Sequence, residues 1–493
     1  MKGTTDTSIR VVIFGGGTDL WLVAALMQTQ LPPKVEILLV EDTNIKQTSV
    51  ISLRLDDPIL TALKIEQAQL QQAPSASFAL GTELKNWRGE NSAHFLAGSG
   101  NLPEIDDIPI HQIMLHAAST HSEPDRLSYL YQPFQFPKRM VDAGKMDWMS
   151  ADPRSPLNLL RPTVQLRRSD FARILIGRCD DLAVRKAFPI SVEKSSDTGD
   201  LKTVTLSDGS VVDADFFVDL SGELGGLIDE TQSQIWEPVS QMCPFDRFAS
   251  LELEQDSGHS LSECSATALP SALLMVVPVR NGIDRNLLFA DEFMDHTGVE
   301  EILGGEAKIT AFSPGYSTRP WTGNCARLGQ ASAQFGSFLA SDQMILNRDA
   351  MMLLDFFPST LGMKIEAKAF NRKRQTMAEQ IRDFVLMPFH LNKRDDPVWQ
   401  SAQRKELPDT AKIRLQQFRS RGRFVAFEDE QFDQQSWIDL MIGFDIVPER
   451  VDPMVRSIDM NQMARKLKNL AKAFDHSVLS TTSRAEFQGH LQN

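Results

Sequence analysis

The chain lacks long hydrophobic runs, cysteine clusters, an excess of positive charge and low-complexity segments, and each absence removes a class of protein. No apolar stretch approaches the roughly 18 residues of a membrane-spanning helix, and the amino terminus lacks the charged-then-apolar pattern of a secretion signal. The expectation is a chain that neither spans a membrane nor is exported, with the cytoplasm as its compartment. Cys179, Cys243, Cys264 and Cys325 are spaced like neither a disulfide framework nor a zinc site, which predicts simple buried thiols. A net charge of −14 repels phosphate backbones and anionic lipid, so neither nucleic acid nor a membrane surface is an expected partner. The most basic stretches, Lys393-Arg394 and Arg419 to Arg423, are diluted by Asp395, Asp396 and Glu428-Asp429-Glu430 and read as solvated faces.

Other chemistries are absent as well. There is no phosphate-binding P-loop and no G-x-S-x-G elbow. His111, His116 and His121 do not match a metal-binding helix with a nearby carboxylate, so no metal site is expected. Asp56-Asp57 and Asp106-Asp107 read as solvated loop acids.

What is present is an ordinary globular composition: 493 residues, 42% hydrophobic and 24% charged, enough for a sizeable core without a covalent staple. Arg10 to Phe14 is a short apolar β-rich run, broken by Gly15-Gly16-Gly17-Thr18. Trp21 to Met27 continues with helical apolar character, and Val35 to Val40 is a second apolar run closed by Glu41. This is a β-turn-α-β unit. Leu201 to Leu206, a turn at Asp208-Gly209 and Val211 to Leu220 predict antiparallel sheet. Beyond about Ser341 the pattern turns helical, through Met344 to Phe356, Phe370 to Leu386 and Met463 to Phe474.

The first unit has the form of a dinucleotide-binding turn. Glycines there permit the bend, let backbone N–H groups approach a pyrophosphate and allow close helix–strand packing at the positive helix end. Gly15 and Gly17 hold the first two places, Thr18 follows, and Glu41 stands where an acid would contact an adenosine ribose. The third place is Leu20, which opposes close packing, and Asp19 sits in the first turn of the helix. Two like charges about 5 Å apart at an effective dielectric of ~20 cost roughly 3 kcal/mol, about a hundredfold in affinity. The turn is thus degraded as a phosphate site.

Several motifs carry a resemblance over almost the whole chain. Gly15-Gly16-Gly17-Thr18-Asp19-Leu20-Trp21 is similar to Gly-Gly-Gly-Thr-Ala-Gly-Trp of the flavin-dependent tryptophan halogenases, and Phe216 to Gly222 to that family's Phe-Val-Asp-Cys-Ser-Gly. Ile381 to Phe384, Arg421-Gly422-Arg423, Phe427 to Glu430, Ser436-Trp437 and Ile446 to Arg450 stand in the family's order and approximate spacing. The resemblance implies a mixed α/β fold: a flavin-monooxygenase-like box domain with a mixed sheet over residues 1–360, with substrate-side segments inserted at approximately 85–160. A mainly helical pyramid over residues 361–493 follows. It also implies FAD, a flavin reductase if the chain is an active enzyme, an aromatic substrate such as tryptophan or indole, and often a homodimer.

Read position by position, the resemblance also shows departures. The family's catalytic lysine, which holds or carries hypohalous acid, corresponds to Ala79 in Ala76 to Gly81, and alanine has no amine for that step. Lys85 is six residues away, roughly 20 Å along an extended chain, and reads as a surface lysine. The family's catalytic glutamate corresponds to Leu339 in Ser337 to Ser341, and a flavin-holding Gly-Asp pair to Gly329-Gln330. Gln334, Phe335 and Phe338 add bulk that is expected to fill the flavin pocket. Trp-x-Trp-x-Ile-Pro becomes Leu273 to Pro278, and Gly-Val-Gly-Glu becomes Ser49 to Ser52. Structural marks survive where chemical marks do not.

Three functions follow. The leading one is a non-catalytic or strongly diverged halogenase-like protein, a pseudoenzyme acting by association as a homodimer or with an active halogenase paralogue. The second is a flavin-dependent halogenase or monooxygenase with altered chemistry, resting on Gly15, Gly17, Thr18, Glu41 and Gly329. The third is a small-molecule binder that uses the indole pocket. Phe134, Phe136, Trp148, Trp399 and Trp437 are candidates for that pocket, with core packing the preferred reading.

Overall fold

The computed structural model describes residues 8–490 except 46–47, 99, 101–102, 121–126, 229–234, 255–262, 359–362 and 457. His121 lies outside the described residues.

The elements that build the site follow in chain order. They begin with β1 (Ile9–Gly15), α1 (Gly17–Gln30), β2 (Val35–Glu41), β3 (Val50–Arg54), β4 (Ser77–Ala79), β5 (Gly81–Lys85) and β6 (Ala93–Ala97). Next come β7 (Thr163–Arg167), α2 (Arg168–Ile176), β8 (Ala183–Lys186), β9 (Phe216–Asp219), β10 (Arg247–Glu254), β11 (Cys264–Leu269), β12 (Ala272–Val279), β13 (Gly282–Phe289) and β14 (Lys308–Ala311). They close with β15 (Trp321–Thr322), β16 (Cys325–Arg327), α3 (Ser341–Asp355), α4 (Lys364–Leu391), α5 (Asp409–Arg421), α6 (Gln434–Gly443), α7 (Met460–Ser480) and α8 (Arg484–His490).

A sheet in the order β8-β2-β1-β9-β16-β15 carries the β-turn-α-β unit as expected, with β1 parallel to both neighbours and Gly15 in register with Glu41. The predicted antiparallel run through Leu220 divides. Leu201–Leu206 and Val211–Asp213 form the hairpin, but β9 leaves it and joins β1 in parallel, Val11 opposite Phe216. All four residues of β9 are buried, and a strand covered on both faces suits the interior of a parallel sheet. Asp215 makes the corner, its N–H donating to the Arg10 carbonyl at 3.0 Å.

A second sheet, β14-β10-β13-β12-β11-β5-β6, is antiparallel except where β11 meets β5. A short third sheet pairs β7 with β3 and β4. From Ser341 onward the regular elements are helices, as expected. α4 carries a Pro388 near its end, and its apolar face is buried from Phe384 to Phe389.

One hydrophobic cluster runs from Val11 to Phe487 and joins the sheets to the helices. At its centre Trp87 is fully buried, stacked on Phe338 at 5.6 Å and edge-on to Trp399 at 5.1 Å and Phe389 at 5.3 Å. Its indole N–H donates to the Ala266 carbonyl at 3.0 Å, which satisfies the one polar atom the ring brings inside. The carboxy-terminal motifs have a comparable cause. Arg414 is buried, its guanidinium 4.1 Å from the Phe427 ring centre, 4.8 Å from Trp437 and paired with Glu430 at 2.7 Å. Among the described residues no helix is long and apolar enough to cross a membrane.

Candidate functional site

The glycine-rich turn joins β1 to α1, and Gly17 at the helix start has φ +56° and is exposed. The other two glycines answer to the chain's own packing. A Cβ on Gly15 would lie 2.9 Å from that of Leu220, and one on Gly16 would run into the Asp42 carbonyl. The Asp42 N–H in turn donates to the Gly15 carbonyl at 2.8 Å. Leu20 is fully buried among core residues, so its side chain points inward and stays out of the groove in front of the helix.

Asp19 is different. Its carboxylate meets the Arg168 guanidinium at 2.6 Å, and both side chains are mostly enclosed. Arg168 also donates through Nε to the Thr48 hydroxyl at 3.2 Å, while the Thr18 hydroxyl donates to the Arg168 carbonyl at 3.0 Å. The expected repulsion by Asp19 is therefore partly neutralised, and the cation that neutralises it is itself occupied. Glu41 is half-buried at the end of β2, with its carbonyl accepting from the Ala187 N–H at 3.2 Å. Nearby, burial and the charges of Asp42 and Asp219 raise the Glu223 carboxyl. With the first turn of α1 carrying a paired carboxylate and further acids close by, the residues as they stand do not fit the diphosphate of FAD.

The Gly329-Gln330 corner is held from behind. Gly329, at φ +58°, donates its N–H to Asp349 at 2.9 Å, and Asp349 is paired with Arg374 at 2.9 Å, both side chains fully buried. Gln330 donates its carboxamide to Asp342 at 2.7 Å, and the Ser337 hydroxyl donates to the same carboxylate oxygen. The other oxygen, Oδ1, is enclosed with no hydrogen-bond partner, and burial raises the carboxyl despite both donors. Between these residues the backbone is strained. Ser337, Leu339 and Ala340 have φ of 57°, 52° and 58°, a conformation that costs non-glycine residues about 1–3 kcal/mol each.

This strained segment walls a cavity of about 240 Å³. Val50, Ile51 and Ser52 of β3, Met275 to Val277 of β12, Leu339, and Phe384 with Phe432 form much of its lining. The two phenyl rings are stacked at 3.8 Å. A second cavity of about 120 Å³ shares Thr48, Ser337 and Asp342 with the first and is lined also by Gln330 and Gln334. Gln165, Asn286 and Gln343 in the main wall each have a buried amide oxygen without a hydrogen-bond partner.

Departures scattered along the sequence thus come together. Ile51, Ser52, Met275 and Leu339 line the main cavity and Gln330 the second, whereas Ser49 and the fully buried Leu273 line neither. Ala79 is fully buried in β4, its carbonyl accepting from the Thr163 hydroxyl at 3.3 Å, and Thr163 faces the cavity. Lys85 pairs with Glu83 at 3.2 Å and is half-exposed, as a surface lysine should be.

Phe335 is buried in the core, while Phe338 stacks on Trp87 and also lines the cavity wall. Phe134, Phe136, Trp148, Trp399 and Trp437 do not line it and pack in or against the core, which is the preferred reading of them. Trp148, for instance, is edge-on to Phe78 at 5.0 Å. Phe384 of α4 and Phe432 in the connection before α6 line it instead, and of the two only Phe384 stands in a segment marked in the sequence. Asp57 is no solvated loop acid: it caps the helix Pro58–Ala62, accepts from Asn347 at 3.2 Å and lines the cavity. Asp56 is paired with Arg54 at 2.8 Å, and Asp106 with Lys466. His111 is buried against the Gly422 carbonyl at 3.0 Å, and no cluster of metal ligands occurs among the described residues.

The chain matches the tryptophan halogenase family over residues 10–460. It is 25% identical over 443 residues to tryptophan 7-halogenase KtzQ of Kutzneria sp. (strain 744), spanning 82% of this chain and 80% of that protein. To tryptophan 7-halogenase RebH of Lentzea aerocolonigenes it is 23% identical over 447 residues, 85% and 83% of the two chains. Among solved structures, BrvH, a flavin-dependent halogenase from Brevundimonas sp. BAL3, superposes with a TM-score of 0.88 at 23% identity over 99% of this chain and 100% of that one. Xcc4156, a flavin-dependent halogenase from Xanthomonas campestris, gives 0.86 at 22% identity and 98% of each chain. With the shared fold and a match that takes in both the glycine-rich turn and the walls of the cavity, the chain belongs to the tryptophan halogenase family.

Proposed function

We propose that this chain is a non-catalytic member of the family that holds an aromatic small molecule in the cavity beside Leu339 without halogenating it. The observation that carries the reading is one wall. The cavity is open and presents the Phe384–Phe432 pair, while the residue at the family's glutamate position is Leu339 and the strand behind Thr163 carries Ala79. Neither side chain can hold an oxidant or move a proton. The stacked rings suit a flat apolar ligand.

The test has two parts. Indole and tryptophan, each added to the purified protein, are expected to raise the melting temperature in a saturable manner, because a ligand that binds only the folded state stabilises it. Incubation with a flavin reductase, reduced FAD, chloride and either compound is expected to give no chlorinated product. Repeated turnover to a chlorinated indole would overturn the reading, and so would the absence of any saturable shift.

A further inference from the structure

We propose that Asp19 is an internal anion standing where a ligand phosphate would bind: it occupies Arg168 at the amino-terminal end of α1 and so keeps the glycine-rich turn from taking a dinucleotide.

Arg168 is placed as a phosphate-binding residue would be. It begins α2, reaches Asp19 in the first turn of α1, reaches Thr48 in the connection between β2 and β3, and lines the main cavity. A ligand extending from the helix end to the cavity passes this guanidinium. The helix end offers the usual attraction for an anion, since Gly16 before it has no side chain to cap the free N–H groups and Gly17 is exposed. Asp19 supplies the negative charge from within the chain.

The remaining sequence departure at this turn does not block it, because Leu20 is turned into the core. Asp19 is therefore the decisive one. Arg168 also acts on the carboxyls of Asp284 and Asp342, holding each lower than burial alone would leave it. One guanidinium thus serves three acids, so a diphosphate bringing about two further negative charges meets an Arg168 that is already engaged.

The experiment titrates FAD into the wild-type chain, Asp19→Ala and Asp19→Asn, following quenching of flavin fluorescence and, separately, the melting temperature. Asp19→Asn keeps the shape of the side chain if the alanine variant folds poorly. Both variants are expected to bind FAD at least tenfold more tightly than wild type and to be stabilised by it. Adding Arg168→Gln to either variant is expected to abolish the gain. Wild-type binding as tight as that of the variants, no gain in either of them, or a gain that survives Arg168→Gln would each overturn the proposal. Indole binding at the cavity is read without flavin and stands or falls separately.

Discussion

The Gln330 carboxamide donates to the Asp342 carboxylate across 2.7 Å and ties the corner after β16 to the first turn of α3. The acid of this region thus sits on the helix, and the corner residue that the family resemblance would make an aspartate is its hydrogen-bond donor. Restoring an aspartate at position 330 alone places two carboxylates against each other. Two charges about 4 Å apart at an effective dielectric of ~20 repel by roughly 4 kcal/mol. Gln330→Asp is expected to lose a few kcal/mol in urea unfolding at pH 7 and to recover when Asp342→Asn is added. Equal stability of the single and double variants would show that the pair is not coupled.

Asp439 gives a pH dependence of defined sign. It is fully enclosed, accepts from the Tyr131 hydroxyl at 2.7 Å and the Gln435 carboxamide at 2.6 Å, and burial pushes its carboxyl from 3.8 to about 6. A folded value above the unfolded one means that the folded state binds its proton more tightly. The stability this contributes is complete below pH ~3.8 and is lost as pH rises through about 6. Unfolding measured between pH 3 and 7.5 should show this loss, on the order of 3 kcal/mol for a shift of that size. Asp439→Asn is expected to flatten this part of the profile, and an unchanged slope would refute the assignment.

Arg374 and Asp349 are both fully buried, and Asp349 also receives the Gly329 N–H. Removing one partner leaves a charge with no water to solvate it. Arg374→Ala is expected to destabilise the protein by about 3–5 kcal/mol in denaturant unfolding. A loss below about 1 kcal/mol, the range of exposed pairs, would show that water reaches the site.

The two family positions should respond differently to restoration. Ala79 is fully buried in β4, so a lysine there must bury an ammonium, whereas Leu339 is partly exposed to the cavity. Ala79→Lys is expected to lower the melting temperature strongly, and Leu339→Glu only modestly. Comparable losses would mean that β4 can open to admit a long side chain.

The sequence by itself determined the elements whose causes are local. Apolar runs broken by Gly15 to Thr18 specify β1, α1 and β2, because strand and helix periodicities and a glycine turn are properties of neighbouring residues. Helical spacing likewise marked α3, α4 and α7. The tertiary structure decided what depends on distant partners. Phe216 to Asp219 read as a continuation of a hairpin, yet burial on both faces placed it beside β1. Asp19 read as a carboxylate at the positive helix end that would repel a phosphate, but its partner Arg168 lies 149 positions away and no spacing rule links them. Phe335 and Phe338 read as bulk in a pocket, yet Phe335 packs into the core and Phe338 stacks on Trp87 at the cavity wall. Bulk and charge are written in each residue, but whether bulk fills a cavity or charge stays unpaired is set by long-range packing, which one strand or helix in isolation does not contain.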